Sequence, residues 1–153
     1  MIRHLVSLAA ITFADLPGPQ DRALEPPPVA IPDRISYAGT GNGWTGGRTE
    51  WWIDRSGRGA YRTTIRYERS GKFNAGPGGF EHVRAMLQPL EDVHELPCDG
   101  AVTDQGMGTL TWARDQRETT LRFDFGCNFR QPDAARTRLF DATALVQEWA
   151  LAK

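Results

Sequence analysis

His82 and His94 are the imidazoles of the chain beyond its first few residues, and Glu91, Asp92, Glu95 and Asp99 crowd around the second beside Cys98. Imidazole, thiolate and carboxylate are the ligands zinc takes, so a metal site is the first chemistry to weigh. Such sites bring their ligands as close pairs, CxxC or HxxxH. Here the histidines stand twelve residues apart with a predicted helix end between them. The segment 91–100 (EDVHELPCDG) therefore reads as an acidic, solvated connection, with Asp99 and Asp104 capping the turn beside Cys98. No metal and no cofactor is expected.

Nucleophilic catalysis fares no better. A hydrolytic triad needs a nucleophile, a base and a group that orients the base. Ser36, Ser56 and Ser70 fall in strand or turn contexts, and no GxSxG elbow is present. Paired carboxylates cannot be judged from spacing, because 19 acidic residues always allow some pair. A hydrolase or metal-dependent enzyme built on His82 or His94 stands last among the readings, and the chain leans away from enzymes.

The glycine-rich stretch 39–47 (GTGNGWTGG) invites a phosphate cradle. That device needs a helix N-terminus after its glycines, and a P-loop also needs a Lys. Here a strand follows and no Lys is near. The stretch reads as a hairpin connection, with a small-ligand or glycan site at Trp44 and Asn42 as the alternative.

Cys98 and Cys127 are the two cysteines. One disulfide is expected between them, closing a loop of about 30 residues. That expectation also removes Cys98 as a thiolate nucleophile. It fits the start of the chain. Arg3 and His4 precede an apolar run at 5–14 (LVSLAAITFA), too short to cross a bilayer, with Thr12 and Ala14 as the small residues before a cleavage site. Residues 1–14 are thus expected to be a signal peptide, and the mature protein periplasmic or secreted, without stable membrane insertion. Residues 15–32 (DLPGPQDRALEPPPVAIP) are expected to be a proline-rich tether, and 33–153 a single domain. A net charge of −1 gives no electrostatic reason to expect nucleic acid or anionic membrane as partner. Of 18 basic residues only Lys72 and Lys153 are lysine.

Two hairpins position everything else. In 106–127 (GMGTLTWARDQRETTLRFDFGC), a turn at Asp115 and Gln116 sets Leu110 opposite Leu121 and Gly108 opposite Phe123. Every large apolar side chain then falls on one face. The same register, continued, sets Cys127 opposite Asp104. The strands 48–54 and 59–67 turn at Asp54-Arg-Ser-Gly57, which sets Trp51 opposite Tyr61 and Glu50 opposite Arg62. Trp51, Ile53, Tyr61 and Ile65 form the core face. Glu50, Trp52, Arg62 and Arg66 share the other, and a Trp among charges there is the oddity. Packing with Arg62 and Arg66 would account for it. A partner surface would also, since Trp and Arg recur at binding hot spots.

A further strand starts at Ile35 and Tyr37, with Arg34 and Ser36 turned the other way. Residues 70–79 read as loop. Phe80, Val83, Met86, Leu87 and Leu90 recur at helical spacing. So do Leu139, Ala142, Leu145, Val146 and Trp149, after Asp133 as N-cap. The sum is an α+β fold: a five-stranded antiparallel sheet in the order β-β-β-α-β-β-α with both helices on one face. The expected function is non-enzymatic binding of an envelope protein partner, as an inhibitor or accessory factor, by a monomer through the face carrying Trp52.

Overall fold

The computed structural model describes residues 31–41, 43, 46–128 and 133–152. The expected signal peptide, all of the expected tether but Ile31 and Pro32, and the alternative ligand site at Asn42 and Trp44 lie outside the described residues.

The core alternation predicted from sequence builds β1 (Arg34–Thr40), β2 (Arg48–Asp54) and β3 (Arg58–Thr63), then β5 (Met107–Arg114) and β6 (Arg117–Asp124). Leu110 faces Leu121, Gly108 faces Phe123, Trp51 faces Tyr61 and Glu50 faces Arg62, all as the hairpin registers require. Gly57 closes the β2–β3 turn at φ 81°, where its amide donates to Asp54 O at 2.8 Å.

The sheet has six strands, not five. β4 (Arg69–Asn74) occupies the stretch read as loop and pairs with β3, Gly59 facing Phe73 and Tyr61 facing Gly71. The spatial order is β4-β3-β2-β1-β5-β6, antiparallel throughout. The chain order is therefore β-β-β-β-α-β-β-α. β3 also ends before Ile65. Arg66 takes φ 64°, which turns the chain out of the sheet and leaves Ile65 half-buried.

α1 spans Gly76–Leu87 and α2 Ala134–Leu151. α1 starts four residues before Phe80, with Pro77 in the first turn, where a missing N–H costs nothing. Asp133 caps α2, its Oδ1 accepting from Arg136 N at 2.9 Å. Both helices pack on one face of the sheet. Phe80, Val83, Leu87, Leu139, Ala142 and Val146 join Ile35, Ile53, Leu110, Trp112 and Leu121 in one core. Two polar ties reach up from it: Trp51 Nε1 donates to Thr143 Oγ1 at 3.0 Å, and Tyr61 Oη to Gln147 Oε1 at 2.9 Å. Tyr37 stacks between Trp51 (centroids 5.6 Å) and Phe123 (6.1 Å), and burial, with Tyr61 nearby, pushes its phenol above the ordinary range.

The disulfide joins Cys98 and Cys127, Cα atoms 5.0 Å apart. Its approach differs from the extrapolated register. Asp104 (φ 66°) and Gly106 (φ 83°) break the ladder, so Cys127 pairs with Ala101, not Asp104. Val102 N donates to Gly126 O at 3.0 Å and Asn128 N to Gly100 O at 2.8 Å. The amide of Asp99 is bonded by the Asn128 side chain at 3.3 Å. Upstream, His94 O accepts from Arg122 N at 2.9 Å, and Glu95 bridges Arg122 in parallel. The disulfide thus fastens a segment that flanks the β6 edge.

Candidate functional site

With both helices on one face, the other carries no element among the described residues. Strand alternation turns every second residue of six strands outward there. The registers stack these into rows. One row crosses the whole sheet as Lys72, Ala60, Trp52, Ser36, Thr111 and Thr120. The next runs Ser70, Arg62, Glu50, Ala38, Thr109 and Arg122. On the other side of Trp52, Arg58, Asp54, Arg34 and Ala113 lie in line.

The small side chains flanking Trp52 leave a depression of about 630 Å³, floored by Ser36, Ala38 and Ala60 and rimmed by Arg34, Arg62 and Lys72. A second depression of about 720 Å³ continues toward β6 and the disulfide, sharing Ala38 and Thr109 with the first. Trp52 is half-buried in the middle of this surface.

The cation over Trp52 is neither Arg62 nor Arg66. Arg34, on the neighbouring β1, lies over the ring with its guanidinium carbon 4.4 Å from the centroid. Arg62 reaches instead to Glu68 in the β3–β4 connection at 2.8 Å. Glu50 opposes Arg62 in register but pairs with Arg48 at 2.8 Å. Arg66 sits past the end of β3, off the strand alternation that would place it beside Trp52. Asp54 stands across from Arg34, yet its carboxylate serves its own turn. It accepts from Ser56 N at 2.9 Å, Ser56 Oγ at 2.5 Å and Arg58 N at 3.2 Å, with the Arg58 guanidinium at 3.4 Å. Partial burial pushes this carboxyl up. The Ser56 and Arg58 contacts outweigh that and hold it below the ordinary aspartate value.

Three carboxylates of this half of the face are therefore paired with three arginines. Arg34 and Lys72 have no carboxylate partner among the described residues, and both are exposed. Sequence reading missed both as site residues. Strand alternation puts Arg34 on the outward face without linking it to Trp52, and the sequence around Lys72 reads as loop.

The residues weighed for chemistry do not converge. His82 is exposed on α1 and His94 is exposed beside β6, and neither lines the depressions. Among the described residues, no group of three or more His, Cys, Asp and Glu side chains is placed to hold a metal ion. Glu91, 4% exposed, is tied to Arg114 in a buried ion pair at the end of β5, which fixes the connection rather than opening a site. No described helix is long and apolar enough to cross a membrane.

Compared with known families and curated proteins, the chain matches no family model and no curated sequence.

Proposed function

We propose that this is an exported, non-enzymatic binding protein that docks a partner of the cell envelope on its uncovered sheet face, as an inhibitor or accessory factor. One observation carries the reading. A half-buried Trp sits in the middle of a shallow surface floored by small residues and rimmed by cations, and it packs under an arginine rather than under a helix. Trp and Arg are the residues over-represented at binding hot spots. Export is supported by the Cys98–Cys127 disulfide, which persists in oxidising compartments, together with the charged start and apolar run of the chain.

Thr111 shares the row of Trp52, two strands away, whereas Arg66 lies outside the face. Each position, replaced in turn by photoreactive benzoylphenylalanine, is irradiated in the native envelope fraction. The expected result is a discrete adduct from Thr111 and none from Arg66. Equal yields, or no adduct from Thr111, would remove the docking reading.

A further inference from the structure

We infer that the occupant of this face is an acidic, extended segment of a partner protein, gripped by Arg34 and Lys72. This deepens the docking reading and rests on it. The half of the face from β4 to β1 carries Arg34, Arg48, Arg58, Arg62 and Lys72 against Glu50, Asp54 and Glu68. Each of those carboxylates is engaged by its own arginine. The local excess of two positive charges resides on Arg34 and Lys72, on a chain whose net charge is −1. Opposite charge on the partner is what such an excess selects.

The form of the two cations narrows the ligand. A guanidinium lying over an aromatic ring keeps its N–H edge for a carboxylate, which takes two of those donors side by side. The same stacking places Arg34 over the Trp52 ring, the surface that a sugar would need for face-on contact. Lys72 and Arg34 are separated by three strand spacings and by two residues along the strand, about 16 Å at roughly 4.8 Å per strand and 3.3 Å per residue. An extended polypeptide covers that distance in about five residues. Between the cations lie Ala60, Trp52 and Ser36, with the Ser70 and Thr111 hydroxyls in the same depression. Hydroxyls both donate and accept, so they can satisfy the backbone groups of a segment crossing the strands.

The test is a ¹⁵N NMR titration of the full chain with a decaglutamate peptide at low ionic strength, where exposed charges are least screened. Decaglutamate is expected to shift the Trp52 indole resonance and the Ser36, Ala60 and Lys72 amides. The double variant Arg34→Gln/Lys72→Gln is expected to bind roughly two- to thirtyfold more weakly, the range for two exposed charge pairs. Arg66→Gln is expected to bind as the wild type does. An unchanged affinity in the double variant would overturn the inference. So would an oligogalacturonate of matched charge shifting these signals while decaglutamate does not, since the occupant would then be a glycan. Shifts that follow protein concentration alone would put a second copy on the face and overturn it too. The cross-linking result at Thr111 is independent of these outcomes, so a wrong partner chemistry is distinguishable from absence of docking.

Discussion

Replacing Cys98 and Cys127 together by Ser is expected to lower the free energy of unfolding by about 3–4 kcal/mol, the chain-entropy value for a loop of this length. The bridge spans 29 residues of sequence and encloses all of β5 and β6. It is also the only covalent hold on the segment around 94–104. That segment otherwise rests on a few backbone bonds, such as Arg122 N to His94 O and Val102 N to Gly126 O. Urea unfolding of wild type and variant, each with and without reductant, measures the effect. Reductant should bring the wild type down to the variant and leave the variant unmoved. A loss below about 1 kcal/mol would show that the backbone bonds and Leu96, buried at the same edge, suffice.

Gly57→Ala is the second large effect. Gly57 holds φ 81°, and a Cβ there would stand 1.9 Å from the carbonyl oxygen of Gly76 and 2.3 Å from its carbon. Those atoms are backbone, and they begin α1, whose approach is also fixed by Ala75 N donating to Gly57 O at 2.9 Å. The β2–β3 turn and the start of α1 cannot both stay in place. Overpacking commonly costs about 1–3 kcal/mol, and left-handed backbone in a non-glycine residue about 1–2 kcal/mol more. A loss of roughly 3 kcal/mol or more is therefore expected in urea unfolding. Gly76→Ala is the contrast: φ is 67° there, but nothing lies within 4 Å of its Cβ position. It should cost only the backbone share. Equal losses would mean that the turn and α1 do not meet closely.

Gly57 also shows the limit of sequence reading. Asp54-Arg-Ser-Gly announces a turn, and the turn forms. Nothing in those four residues says that another backbone will pass within van der Waals contact. The hairpins were legible because each buries one face of large side chains, so only one register keeps Trp51, Tyr61, Leu110, Leu121 and Phe123 together. β4 was not, because RSGKFN carries one large apolar residue and sits at the sheet edge. Its inward positions are Gly71, whose Cβ position lies 1.9 Å from the Ala150 carbonyl of α2, and Phe73, which meets Trp149 at 5.8 Å. The strand is held by its ladder and by that helix seat, neither of which leaves an alternating hydrophobic signal.

The face was legible as a face, and its charge pairing was not. Register names the residue opposite, but long side chains choose among several neighbours. Glu50 turns to Arg48 on its own strand, and Arg62 bends to Glu68 beyond the strand end. The partner of Trp52 depends on which strand lies on its other side, and hairpin reading does not supply that. β1 lies there, so Arg34 becomes the stacking cation. Alternation sets Arg66 beside Trp52 only if β3 continues past Thr63, where the strand in fact ends.

If Trp52 is there for a partner, the fold should survive without it. The direct test is the thermal midpoint of Trp52→Ala, read beside that of Trp51→Ala. Trp52 contributes a cation–π contact of about 0.5–1 kcal/mol and a half-buried ring, and for a domain of this size 1 kcal/mol moves the midpoint by about 2–4 °C. Trp51 is 2% exposed, and its truncation should cost about 3–5 kcal/mol. The account predicts a drop of no more than about 5 °C for Trp52→Ala and one more than twice as large for Trp51→Ala. A Trp52→Ala midpoint as low as that of Trp51→Ala would make Trp52 part of the core and contradict the claim that this face is kept open for a partner.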